Sequence, residues 1–225
     1  MAKRAILNFH GIGSIPDHIE DAERPFWIDQ DRFEGLAHEI AKRRANGQDV
    51  MITFDDGNKS DLEIAAPILD RLGLKASFFV LTGRIGQQDY LSVSNIQRLH
   101  AMGMGIGLHG HDHVDWRQLD SDRLDVEVPQ ARATIADIIG QPIDTVGIPF
   151  GAYNRRVMSY LGRHGFKAIF TSDGDTARSD ARVQPRLSVR SDLDEAPVRT
   201  FLDDTARFGD RLNRRVRRFL KQHVI

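Results

Sequence analysis

At 225 residues, with 40% hydrophobic and 28% charged residues, the chain has the length of one domain and the composition of an ordinary globular protein. A net charge of −1 gives no whole-chain attraction to nucleic acid or to an anionic membrane. Cysteine is absent, which removes disulfides and thiolate ligands, so any metal must be held by His, Asp or Glu.

The opening residues contain only Ala5, Ile6 and Leu7 as a continuous apolar run, far short of a signal peptide's hydrophobic region. No stretch reaches the ~20 apolar residues of a bilayer span. The expectation is a cytoplasmic protein. A first strand is predicted over residues 5–9, ending at His10. Residues 11–30 are polar and Pro-punctuated without periodicity, and read as a long loop, a kind often functional in compact domains. Phe33, Leu36 and Ile40 form an apolar helical stripe that stops at Asn46-Gly47. The second strand, residues 50–54, runs into Asp55-Asp56-Gly57, and Ser60 with Glu63 reads as a capping box opening a helix that ends at Gly73. Further strands are predicted over residues 76–81, 105–108, 145–148, 168–171 and 187–189, with helices over 94–102, 121–139 and 154–164. About seven β/α alternations in a single domain favour a parallel sheet, open or closed into a barrel.

Each chemically capable residue follows a strand. His10 follows the first, Asp55 and Asp56 the second, His109 and His113 the fourth, and Pro149-Phe150 the fifth. In a β/α barrel these positions converge on the C-terminal rim. Each piece alone has a plainer account. Asp-Asp-Gly is a common turn, an H-x-x-x-H pair can be solvated, and a histidine at a strand end is usually structural. Together, two adjacent carboxylates and two imidazoles four residues apart can hold a divalent ion and leave one carboxylate free as a base. His111 alternates away from the pair and reads as a bystander, and His18, His38, His100, His164 and His223 are given no role.

Thr53-Phe54-Asp55-Asp56-Gly57, followed by Ala76-Ser77-Phe78-Phe79-Val80, resembles the first signature of the polysaccharide deacetylase family of carbohydrate esterases. Gly107-Leu108-His109-Gly110-His111-Asp112-His113 is similar to that family's metal-binding motif, and Gly147-Ile148-Pro149-Phe150-Gly151-Ala152-Tyr153-Asn154 resembles its third. The likeness extends to about residue 190. It implies a distorted (β/α)7 TIM-like barrel over residues 1–225, with 195–225 as a basic C-terminal helix. It also implies removal of an N-acetyl group from an amino-sugar glycan or a carrier-linked precursor. Asp56, His109 and His113 would bind Zn²⁺ or a similar ion, and Asp55 would be the base. Pro149, Phe150, Gly151 and Tyr153 would meet substrate, the Phe150 backbone N–H facing the oxyanion.

Two departures from the family pattern matter. The Leu-x-His motif that supplies a general acid is missing after Val189. Instead, Leu7-Asn8-Phe9-His10 resembles the first strand of circularly permuted members, such as poly-N-acetylglucosamine deacetylases, which makes His10 the general-acid candidate. The arginine that often opens the third motif is also missing, because the local sequence is Val146-Gly147-Ile148. Arg186 is expected to take its place, since a buried aspartate base needs an opposite charge to stay ionised. Competing readings are a deformylase, a metal-free C–N hydrolase, or a glycan-binding homologue without turnover. In the tail, Arg207, Arg211, Arg214, Arg215, Arg217, Arg218 and Lys221 flank a stripe of Phe208, Leu212, Val216 and Leu220. That stripe suits packing on the barrel, or peripheral contact with an anionic membrane beside a lipid-linked substrate. Asp203, Asp204 and Asp210 dilute the positive field and favour packing.

Overall fold

The computed structural model describes residues 3–203. Its sheet is built from β1 (Lys3–Phe9), β2 (Asp49–Phe54), β3 (Ser77–Leu81), β4 (Gly105–Gly110), β5 (Thr145–Gly147), β6 (Ala168–Thr171), β7 (Ala177–Arg178), β8 (Val183–Pro185) and β9 (Leu187–Ser188). Strands β1 to β6 pair in sequence order, all parallel, as right-handed β/α crossovers produce. Closure comes from an unusual last stave. β8 pairs with β6 and β9 pairs with β1, and only Arg186 separates the two. The ring is thus a nearly closed, seven-position barrel whose seam is marked by one arginine. The short β7 lies antiparallel against the outer part of β1.

Outside the ring run α1 (Gln30–Ala45), α2 (Ala66–Arg71), α3 (Val93–Ala101), α4 (Ser121–Asp125), α5 (Ala131–Ile139), α6 (Arg155–Arg163) and α7 (Glu195–Leu202). Side chains alternate across each strand, and the two faces are distinct here. Leu7, Phe9, Ile52, Phe54, Phe78, Val80, Leu108 and Val146 belong to the large core beneath the helices. Phe54 stacks on Phe9 and Phe78 there, with ring centroids 5.5 and 4.7 Å away. Ile6, Met51, Phe79, Ala168 and Phe170 form a second, smaller cluster inside the barrel. The same parity turns Asn8, Thr53, Asp55 and His109 inward above that cluster. Alternation alone therefore places the polar groups in the barrel mouth.

Several predicted elements differ in detail. The helix expected over 121–139 is α4 and α5 joined by a π-helical turn, Val126–Gln130. Pro129 lies in that turn and has no N–H for the regular ladder, so the chain takes up the mismatch there. The Ser60–Glu63 capping box does not form: Ser60 has helical backbone angles, and its Oγ accepts the N–H of Ile12 at 3.2 Å instead. α1 is capped as expected at its end by Asn46 and Gly47, and opens with Asp29 accepting the Arg32 N–H. Of the basic helix expected over 195–225, α7 accounts for Glu195–Leu202, and the arginine-rich stripe lies outside the described residues. No helix among the described residues is long and apolar enough to cross a membrane.

Candidate active site

Asp55 is the first residue past β2 and is fully enclosed. Arg186 reaches it from the seam and donates twice, Nη1 to Oδ1 and Nη2 to Oδ2, both at 2.8 Å. Asn8 Nδ2 donates to the same Oδ2 at 2.9 Å, while Asn8 Oδ1 accepts from Thr53 Oγ1 at 2.7 Å and from Arg186 Nη1 at 2.8 Å. Arg186 is 0% exposed, and its guanidinium rests over Phe79 and Phe170 of the inner cluster, 5.4 and 5.8 Å from their centroids. Burial pulls the Asp55 carboxyl upward, but Arg186, His109 and His10 outweigh it and hold it below the usual carboxylate range. Gly147, in the cation-free stretch Val146-Gly147-Ile148, packs close to this network. A Cβ at Gly147 would lie 3.3 Å from Asp55 Oδ1 and from His109 Nδ1, and the cation on Asp55 is Arg186 from the seam.

Asp56, the next residue, has quite different surroundings. Its Oδ1 is buried and has no hydrogen-bond partner. His109 Nε2 and His113 Nε2 each lie 3.5 Å from it. The outer nitrogens explain why both Nε2 atoms face inward. His109 Nδ1 lies 2.8 Å from the Gly147 carbonyl, which can only accept, so this nitrogen carries the proton. His113 Nδ1 lies 3.0 Å from Glu23 Oε1. The ligand atoms of Asp56, His109 and His113 all fall within 4.8 Å of one another. A bare carboxylate oxygen facing two imidazole lone pairs is a set of acceptors that a cation satisfies, and an N₂O set with open positions suits a divalent ion such as Zn²⁺. The three residues fit a metal.

Burial lowers Asp56 acidity less than its imidazole neighbours raise it: His113 first, then His109 and His10 carry its carboxyl far below the usual range. His109 is pushed down by burial, yet Asp55 and Asp56 together move it above its ordinary value. His10, at the end of β1, packs against Phe26 at 4.6 Å between centroids, and its buried Nδ1 has no partner. Burial takes it below 6.5 although Asp56 and Asp55 pull the other way.

The third-motif loop closes the site from β5. Phe150 is 60% exposed, and its ring stacks on His113 at 4.2 Å. Pro149, Gly151 and Tyr153 are buried beneath it; Tyr153 is 1% exposed, and its hydroxyl donates to Asp173 Oδ2 at 2.7 Å. These three shape the loop, and Phe150 is the member that presents a surface. Asp56, His113 and Phe150 are three of the four non-glycine residues with positive φ among the described residues. Strain of this kind costs on the order of 1–3 kcal/mol per residue and collects at functional sites. His111 turns away to Thr82 Oγ1 at 2.8 Å and is outside the cluster, as its spacing predicts.

Three participants carry no prediction from sequence. They are Asn8, Glu23 and Glu127. Glu127, fully buried on the π-helical turn, accepts the backbone N–H groups of His111 and Asp112 at 2.8 and 3.0 Å and the Trp116 Nε1–H at 3.2 Å, fixing the loop between the two histidines. Its only local signal is a carboxylate among Leu124, Val126 and Val128, a helix face that otherwise turns inward.

The polysaccharide deacetylase family model matches residues 42–169. YxkH of Bacillus subtilis, which bears the polysaccharide deacetylase name, is 24% identical over 206 residues, covering 83% of this chain and 74% of YxkH. The structure of the Streptococcus pyogenes deacetylase PplD in complex with acetate superposes with a TM-score of 0.75 at 20% identity, covering 89% of this chain and 98% of PplD. IcaB from Ammonifex degensii gives 0.72 at 19% identity, covering 92% and 98% of the two chains. The fold of this chain is the β/α barrel of these deacetylases. The chain belongs to the polysaccharide deacetylase family.

Proposed function

We propose that this protein is a metal-dependent hydrolase that removes an N-acetyl group from an amino-sugar-containing glycan or glycan precursor. The observation that carries this reading is the contrast between the two aspartates: Asp55 is saturated by Arg186 and Asn8, while Asp56 Oδ1 stands bare before two imidazole nitrogens. A divalent ion held by Asp56, His109 and His113 would polarise the acetyl carbonyl and lower the pKa of a water toward ~7.

The remaining roles belong to the chain itself. Asp55, kept ionised by Arg186, takes the proton of the attacking water. Asn8 and Thr53 hold the guanidinium and carboxylate in register, so the base has one orientation. By family likeness, the Phe150 backbone N–H faces the oxyanion. An amine leaves only when protonated, and His10 is the donor. Burial lowers its pKa, which makes the imidazolium a stronger acid while leaving less of it protonated near neutrality. The Phe150 ring, exposed and backed by His113, offers an apolar wall to a sugar face. Beside the rim, Asp17, His18, Asp89 and Tyr90 help line an open groove of about 720 Å³, which supplies hydrogen-bonding groups for further sugar units.

The test is acetate release from N-acetylglucosamine oligomers and carrier-linked N-acetylhexosamines, read by product mass. Loss of one acetyl mass, abolished by a chelator and restored by Zn²⁺, is the expected outcome. Loss of a formyl mass instead identifies a deformylase. Turnover that ignores the chelator identifies a metal-free hydrolase, and no release from any substrate by zinc-loaded protein contradicts catalysis.

A further inference from the structure

The loop joining β1 to α1 lies across the barrel mouth and touches the reactive groups at two points. Phe26 packs on His10, and Glu23 Oε1 sits 3.0 Å from His113 Nδ1. Arg84, just after β3, approaches both members of the second contact: its Nη2 is 3.4 Å from Glu23 Oε1 and 3.4 Å from His113 Nδ1, and its guanidinium lies 5.0 Å from the Tyr90 centroid. Glu23 Oε1 is the nearer partner of Nδ1 and, as a carboxylate, can only accept, so the short contact favours a proton on Nδ1 and turns the Nε2 lone pair to Asp56. The two histidines are therefore oriented by different chemistry. His109 is set by a neutral carbonyl of the barrel wall, and His113 by a carboxylate carried on a loop.

We propose that Glu23 is a positioning residue: it locks His113 in the Nδ1–H form, strengthens Nε2 as a ligand, and so links the seating of the β1–α1 loop to occupancy of the site. This rests on reading Asp56, His109 and His113 as metal ligands. A carboxylate on the outer nitrogen of a ligating histidine fixes its tautomer and raises its basicity, and losing such a partner weakens metal binding about 10–100-fold. The loop is fastened independently of Glu23. Gly13 N–H donates to Ile28 O at 2.9 Å and Ile28 N–H to Gly11 O at 3.1 Å, and Ser191 N–H holds Pro25 O at 2.7 Å. Trp27 lies so close over Gly11 that a Cβ there would fall 2.0 Å from the indole. Removing Glu23 thus frees the turn around it while these anchors keep the loop in place.

The test compares zinc affinity, by chelator competition, in wild type, Glu23→Gln, Glu23→Ala and His113→Ala, with ¹⁵N imidazole spectra of the metal-free proteins. His113→Ala should lose tight binding, Glu23→Ala should bind about 10–100-fold more weakly, and Glu23→Gln should fall between. The amide oxygen of the glutamine still accepts from Nδ1–H but brings no charge. In Glu23→Ala, His113 should show mixed tautomers while His109 keeps one. Zinc should also slow amide exchange around residue 23 in wild type and not in Glu23→Ala. Should Glu23→Ala misfold, Glu23→Gln carries the same comparison. Wild-type affinity with an unchanged His113 tautomer in the Glu23 variants, while His113→Ala fails to bind, discards the role of Glu23 and leaves the metal site standing. Amide exchange that zinc does not alter in wild type discards the link to the loop. Equal affinity in wild type and His113→Ala overturns the metal-site reading, and this proposal with it.

Discussion

Asp55 and Asp56 are adjacent in the chain and opposite in their surroundings. Asp55 accepts three charge-assisted or amide hydrogen bonds and lies in a network whose members are all buried. Asp56, forced to φ 77°, turns to the other side and leaves Oδ1 with no donor. One carboxylate is completed by hydrogen bonds from the protein and the other keeps a bare oxygen. In the proposed mechanism, the division of labour between base and ligand follows from which hydrogen bonds have been made, and not from the residue types, which are identical.

Breaking the completed side should cost most in rate. Asp55→Asn keeps the shape but cannot take a proton, and kcat should fall about 10²–10⁴-fold with the fold intact. Next comes Arg186→Ala, which leaves a buried carboxylate unpaired and should cost about 3–5 kcal/mol of stability in denaturant unfolding. The sign with pH is also fixed. In wild type the pair's contribution is present above the ordinary aspartate value and is lost only as pH falls through the lowered value of Asp55. In Arg186→Ala burial dominates, Asp55 moves upward, and stability should instead decline as pH rises. His10→Ala probes the rim between the two aspartates: a rate loss of about 10²-fold with unchanged zinc content is expected, because His10 is not among the clustered ligand atoms.

The smallest effect concerns Asp61, on the π-helical turn after the Asp-Asp-Gly segment. Both its carboxyl oxygens are buried without a hydrogen-bond partner, and burial, then Asp56 and Asp55, raise it well above 3.8. The folded state therefore holds this proton where the unfolded chain has released it, so stability drops as pH rises above the ordinary carboxylate value. In thermal melts of metal-free protein between pH 4 and 7, Asp61→Asn should gain on wild type as the pH rises. A difference that stays flat across this range would show Asp61 to be ionised.

Much of this arrangement is legible in the chain. Strands β1 to β6 read as short, mostly apolar segments alternating with helical patterns, and the ends of β1, β2, β4 and β5 carry the site residues, so the barrel rim follows directly. Arg186 was reachable by electrostatic reasoning, because a buried base demands a cation and Val146-Gly147-Ile148 supplies none. What escaped is of two kinds. β7 and β8 are two and three residues long and show no period, so although the strand read over 187–189 is present as β9, the split stave at Arg186 has no local signature. Glu23 and Asn8 act across separations of 90 and 47 residues, and nothing near them in sequence indicates a partner. Ser60 shows the reverse failure: a good local motif lost its hydroxyl to the Ile12 N–H, a tertiary contact that outcompeted the cap.

The most direct measurement of the central claim is the zinc stoichiometry of purified Asp55→Asn and Asp56→Asn, two isosteric changes one residue apart. The account predicts one tightly held ion in Asp55→Asn and none in Asp56→Asn. Equal metal content in the two variants, or loss from Asp55→Asn alone, would contradict it.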